Sequence, residues 1–175
     1  MGRPMRGAVA ALLAVVTAST ISAPATARRS GNQTFKGVIV TSGASGTRKV
    51  LRSVVLGRGA LRGVGRVVEV ANLPGDPDTV SRDDLVFAAG TMHVRNVTVD
   101  TSVSLNSTSC VYSVRLKQTG TVVGGTKLLA AATGSYAGTV TAWGIARRAA
   151  DGKCTMDQPP LYEVDTFVTS GSLSL

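Results

Sequence analysis

Few residues of this 175-residue chain are equipped for chemistry. His93 is its single histidine, so no metal site can draw on two imidazoles. A serine nucleophile would need His93 as its base, but no Gly-x-Ser-x-Gly elbow is there to hold the serine. His93 stays a catalytic candidate beside the plainer role of a strand residue with a satisfied ring. Glu69 lies in "RVVEVA", flanked by valines. Held there out of water, its carboxyl would have a raised pKa and suit general acid work; facing water or paired with an arginine, it would not. Glu163 and Asp165 are two residues apart, which puts both on one face of a strand. That face is either a site or a solvated edge. With Tyr112, the candidates for catalysis are Glu69, His93, Tyr112 and Glu163. Asp76, Asp78, Asp83 and Asp84 crowd one stretch, but the EF-hand spacing that would hold calcium is missing. Turn chemistry at Pro74-Gly75 and Asp76-Pro77, with Ser81 as a cap, accounts for them. Nothing in the sequence calls for a metal or a cofactor.

The elements that would position these residues are strands. Apolar and β-branched residues alternate over 35–41, 49–56, 64–71, 85–89, 91–99, 109–118, 137–148 and 162–169, and Gly, Asn, Asp and Pro punctuate the gaps. The best helical candidate, Lys127–Ala132, is only a turn and a half long. Strands spaced this closely predict an all-β sandwich or barrel in a single domain. The sequence divides into a leader over 1–27, a flexible start over 28–34 and the β domain over 35–175. The leader carries Arg3 and Arg6, a short apolar run, and a small-x-small site at Ala25-Thr26-Ala27, the pattern of a cleaved secretory signal. No later stretch reaches membrane-spanning length, so a secreted, extracellular protein is expected. In that setting the two cysteines, Cys110 and Cys154, are expected to form a disulfide. If the strands at 109 and 137 are antiparallel neighbours, Cys110 lies beside the turn that holds Cys154.

The segment "GGTKLLAAATGSYAGTVTAWG", Gly124–Gly144, has the composition of a phosphate loop but not its order. A phosphate loop needs Gly-Lys-Ser/Thr opening a long helix, and here a strand follows. "VVGGTKLLAAATGSYAGTV" is instead similar to the Gly-Gly-Thr-Gly, apolar, apolar, x, x, Ala, x, Gly signature of the allene oxide cyclase and dirigent barrels, departing from it at Lys127 and Leu129. "GVGRVVEV", "LPGDPD" and "SRDDLVF" also resemble secreted actinobacterial proteins of no assigned activity. The resemblance covers about the last two thirds of the chain after the leader. It implies an eight-stranded antiparallel barrel, often oligomeric, with a cavity for an apolar ligand. None of those families' catalytic residues aligns onto this sequence.

Alternation assigns faces. Cys110, Tyr112, Val114 and Leu116 share the inward side of their strand. Gly138, Val140, Ala142, Gly144 and Ala146 share one side of the next, and small residues suit a tight barrel interior. Trp143 then points outward, into an oligomer interface, or, with the faces reversed, lines the pocket. Tyr112, Val114, Leu116 and Trp143 are thus the candidate ligand-binding residues. The formal charge is +9, and Arg48, Lys49, Arg52, Arg58, Arg62 and Arg66 fall in one span. They would suit an anionic envelope surface, whereas aromatics, at 4% of residues, are too sparse for a nucleic-acid stacking platform. The leading expectation is a secreted barrel that binds an apolar or amphipathic small molecule. Its alternatives are a cyclase or isomerase acting on a reactive hydrophobic substrate, and a non-enzymatic envelope protein presenting a basic face.

Overall fold

The computed structural model describes residues 29–175; the expected leader over 1–27 lies outside the described residues. Eight long strands form a closed antiparallel barrel: β1 (Ser30–Ser42), β2 (Lys49–Gly59), β3 (Gly63–Val70), β4 (Val80–Phe87), β5 (Gly90–Leu105), β6 (Val111–Gly125), β7 (Thr133–Ile145) and β10 (Tyr162–Ser174). They follow the order β1-β10-β7-β6-β5-β4-β3-β2 around the wall. A separate two-residue ladder, β8 (Arg147–Arg148) with β9 (Cys154–Thr155), sits in the β7–β10 connection. The expected all-β, eight-stranded barrel is the fold.

Strand boundaries differ from the sequence reading where polar residues carry the alternation. Within the expected flexible start over 28–34, the chain is strand from Ser30, paired with the end of β10. Its anchor is Gln33, buried, whose amide accepts from the Leu61 N–H at 2.8 Å and donates to the Leu61 carbonyl at 3.0 Å. Likewise β4 starts at Val80, so Ser81 is a strand residue and not a cap. The expected short helix is a 3-10 turn, Lys127–Leu129.

The two ends of the barrel are built differently. At the lower end, where β2 turns into β3, β4 into β5 and β6 into β7, side chains fill the interior. Phe35, Val55, Leu61, Leu85, Phe87, Met92 and Leu129 pack there as one core. Leu129, in the 3-10 turn, is 1% exposed and plugs the bottom. The glycine-rich stretch is therefore a strand exit, a plug and the next strand. Lys127 opens the plug at φ 53, a left-handed conformation that costs a residue with a Cβ about 1–2 kcal/mol. Lys127→Gly is accordingly expected to raise stability by about 1 kcal/mol in urea titration; an unchanged or lower midpoint would mean that the lysine side chain earns its place.

Closure is uneven. β1 pairs with β10 at twelve positions, but β2 pairs with β3 at only three, Val55–Gly65, Leu56–Val64 and Gly57–Gly63. Above these the two strands part, leaving a groove lined by Val50, Arg52, Ser53, Arg66 and Val68 among others. One hydrogen bond, from Ser53 Oγ to the Val67 carbonyl at 2.7 Å, crosses the gap.

Candidate functional site

Above the core the barrel is hollow. A cavity of about 250 Å³ is walled by Phe35, Ile39, Val67, Leu85, Val94, Val140 and Phe167 and reaches the upper rim at Glu69, Val70, Ser81 and Arg82. Two glycines shape its sides. A Cβ on Gly120 would meet the Tyr136 ring at 2.2 Å, and one on Gly37 would meet the Phe167 ring at 2.2 Å. Both large rings thus lie flat against the wall instead of filling the space.

Carboxyls ring the mouth. Glu69 on β3 and Asp83 on β4 are direct cross-strand partners, an unfavourable like-charge pairing. Asp165 and Glu163 stand on the inward face of β10, beside Ile39 and Thr41 of β1 in register. One guanidinium serves three of the four acids. Arg48 binds Glu69 and lies 3.4 Å from Glu163 and 3.5 Å from Asp165. Burial is the largest single influence on Arg48 and opposes its charge, but the hydrogen bond to Glu69 and the charges of Glu69, Glu163 and Asp165 together outweigh it and the pKa is raised. Arg82, also at the rim, is committed to Asp76 through contacts of 2.7 and 3.3 Å.

The negative charge is thus under-compensated, and the acids respond. Burial, and then the charge of Glu163, push Asp165 up to about 7, despite Arg48. Burial and the charge of Glu69 push Asp83 up to about 6. Deeper in, the Asn96 amide donates to Asp83 at 2.8 Å and accepts from the Tyr136 hydroxyl at 2.7 Å. Burial, with Asp83 nearby, raises the Tyr136 pKa, so this phenol holds its proton. The Thr169 hydroxyl also lines the cavity and is buried without a partner. The site can accept hydrogen bonds and positive charge, and it can hold protons at two carboxyls near neutral pH. Compared with known proteins, the chain matches no family model, no curated protein and no solved structure. The geometry alone therefore carries the functional reading.

The structure sorts the sequence candidates. Glu69 and Glu163 are at the mouth, Glu69 with an arginine as its partner. The Glu163–Asp165 face is inward, not a solvated edge. Tyr112 points inward and donates its hydroxyl to Glu163; burial, and then that hydrogen bond, raise its pKa. It packs with Cys110, Ala146 and Val114 above the cavity rather than along it. Val114 and Leu116 share its inward face but do not line the cavity either. Two candidates lie outside. His93 is on the outer face between buried Met92 and Val94, with Nδ1 2.6 Å from Asp84. Trp143 is 48% exposed on the outer face of β7, so it lines no pocket. The Cys110–Cys154 disulfide is present.

Sequence reasoning missed Arg48, Asp83, Asn96 and Tyr136. The signal for three of them was alternation. Asp83 is in phase with Leu85 and Phe87, Asn96 with Met92 and Val94, and Tyr136 with Val140 and Ala142. A polar residue in phase with an apolar inward row is the mark of a lined cavity.

Proposed function

We propose that this barrel is a secreted protein that binds an apolar or amphipathic small molecule in its upper cavity. The observation that carries this reading is the division of the interior, with a packed lower half beneath a hollow whose apolar walls end in a polar rim. Ligand sites have this character, mostly apolar with a few placed polar groups. The disulfide supports an oxidising compartment. The left-handed Lys127, where the allene oxide cyclase and dirigent barrels carry glycine, supports kinship with them in that turn. The test is native mass spectrometry of the oxidised protein without its leader, alone and after exposure to a mixture of small apolar compounds. Wild type is expected to retain or take up one molecule, lost on denaturation. Val140→Phe, which adds a ring to the cavity wall, is expected to take up none while keeping its strand signal in circular dichroism. Failure of wild type to bind any compound would overturn the reading.

A second reading survives that failure, because it rests on the outer surface. Lys49, Arg52, Arg58, Arg62 and Arg66 are exposed, and among the described residues none has an ion-pair partner. They flank exposed Val64 and Val68 on β2, β3 and their connection. A basic face of this kind suits an anionic envelope surface.

A further inference from the structure

The electrostatics of the mouth are opposite to those of the molecule. The sequence has 19 Lys and Arg against 10 Asp and Glu. Yet four of those acids, Glu69, Asp83, Glu163 and Asp165, meet at the mouth, while one free-reaching cation, Arg48, answers them. The second rim arginine, Arg82, is spent on Asp76. A low-dielectric cleft lined by one sign of charge focuses its field on what enters. The phenol of Tyr136 faces the cavity and that of Tyr112 lies above it; both are uncharged donors, bound to Asn96 and Glu163. They leave the excess negative charge in place.

Deeper in the cavity wall, four residues along β10 from Asp165, the Thr169 Oγ1 is buried without a partner, so it too leaves the rim carboxyls unanswered. The carboxyls ring the opening instead of converging, and among the described residues no three are grouped to hold a metal ion. The charge fits a cation larger than a bare ion, attached to a hydrocarbon body that Ile39, Val67, Leu85, Val94 and Phe167 can cover. At about 250 Å³ the space falls just under the range of about 300–1,000 Å³ typical of ligand pockets, so that body is one ring or a short chain.

We infer that the occupant of the cavity is a small cationic amphiphile, its ammonium group drawn to the rim by the joint field of Asp83, Glu69 and Asp165 and its apolar body inside the barrel. This inference rests on the ligand-binding reading and names the class of ligand. An ammonium presents donors to carboxylates, and such charge-assisted hydrogen bonds are about twice as strong as neutral ones. The pairing also leaves Arg48 with Glu163.

Octylamine, octanol and octanoate separate head group from body, since all three share one chain. By calorimetry near pH 8 at low salt, octylamine is expected to bind the wild-type protein at least about tenfold more tightly than octanol, a difference of about 1.4 kcal/mol. Octanoate is expected to bind weakest. Asp165→Asn is expected to bring the amine to within about twofold of the alcohol, and added salt to narrow the gap as it screens the rim. Equal binding of octylamine and octanol, or preference for octanoate, overturns the inference and leaves the apolar cavity standing. Binding of none of the three overturns both.

Discussion

Asp165→Asn is expected to melt above the wild-type protein at pH 8 and with it at pH 4. The sign follows from the direction of the shift. The folded carboxyl titrates at about 7, above its ordinary value of 3.8. The folded state therefore holds a proton that the unfolded chain releases earlier, and stability falls as pH rises from about 4 to about 7. Below that window the wild type bears no penalty; above it, the penalty is complete. A shift of this size in a buried group corresponds to a penalty on the order of 4 kcal/mol, or roughly 8–16 °C in melting temperature for a domain of this size. Asparagine keeps the shape, removes the repulsion from Glu163, and leaves Arg48 with Glu69 and Glu163. Asp83 titrates in the same sense at about 6, so the variant should keep a shallower pH slope. Thermal melts of both proteins across pH 4 to 8 decide the matter. A variant that melts with or below wild type at pH 8 would mean that Asp165 is ionised and well paired in the fold.

Replacing both Cys110 and Cys154 with serine is expected to lower the urea midpoint and, because the freed unfolded chain exposes more surface, to steepen the slope slightly. The bridge spans 44 residues of sequence. Closing a loop of that length restricts the unfolded chain by up to about 4 kcal/mol on the chain-entropy argument. Other ties remain at this corner. The Ala146 N–H donates to the Cys110 carbonyl at 2.8 Å, and Arg148 Nη2 donates to the Thr108 carbonyl at 2.6 Å. Asn106 Oδ1 also caps the turn by accepting from the N–H groups of Thr108 and Ser109. The barrel and its cavity should therefore persist in the variant. A shallower slope would instead mean that the corner unfolds separately from the barrel.

The fold was legible because the barrel strands carry their own punctuation. Apolar residues alternate at period two, and Gly or Pro stands between runs, so eight strands could be read without knowing their partners. The inward assignment of Tyr112, Val114 and Leu116 came from the same period. What alternation does not encode is which end of the cylinder is filled. Leu129 and Leu61 lie in connections, and their role as plugs depends on where those connections fold back. The candidate site was legible in part for a related reason. Glu69 and Glu163 stood out as acids among apolar neighbours, whereas "SRDD" reads as a loop because three of its four residues are charged. Arg48 could not be found from its strand phase at all. It precedes β2 in a loop, and its importance comes from length and position across the mouth.

The sparse β2–β3 seam bears on how anything enters. Above Val55–Gly65 the wall is held by one serine hydroxyl and, at the top, by the Arg48–Glu69 pair. The barrel behaves as a cuff with a clasp, and the clasp is made from a carboxylate that an incoming cation would compete for. A cation docking at the rim would then draw on the same carboxylate that ties the wall, so entry of a guest and release of the clasp would be coupled.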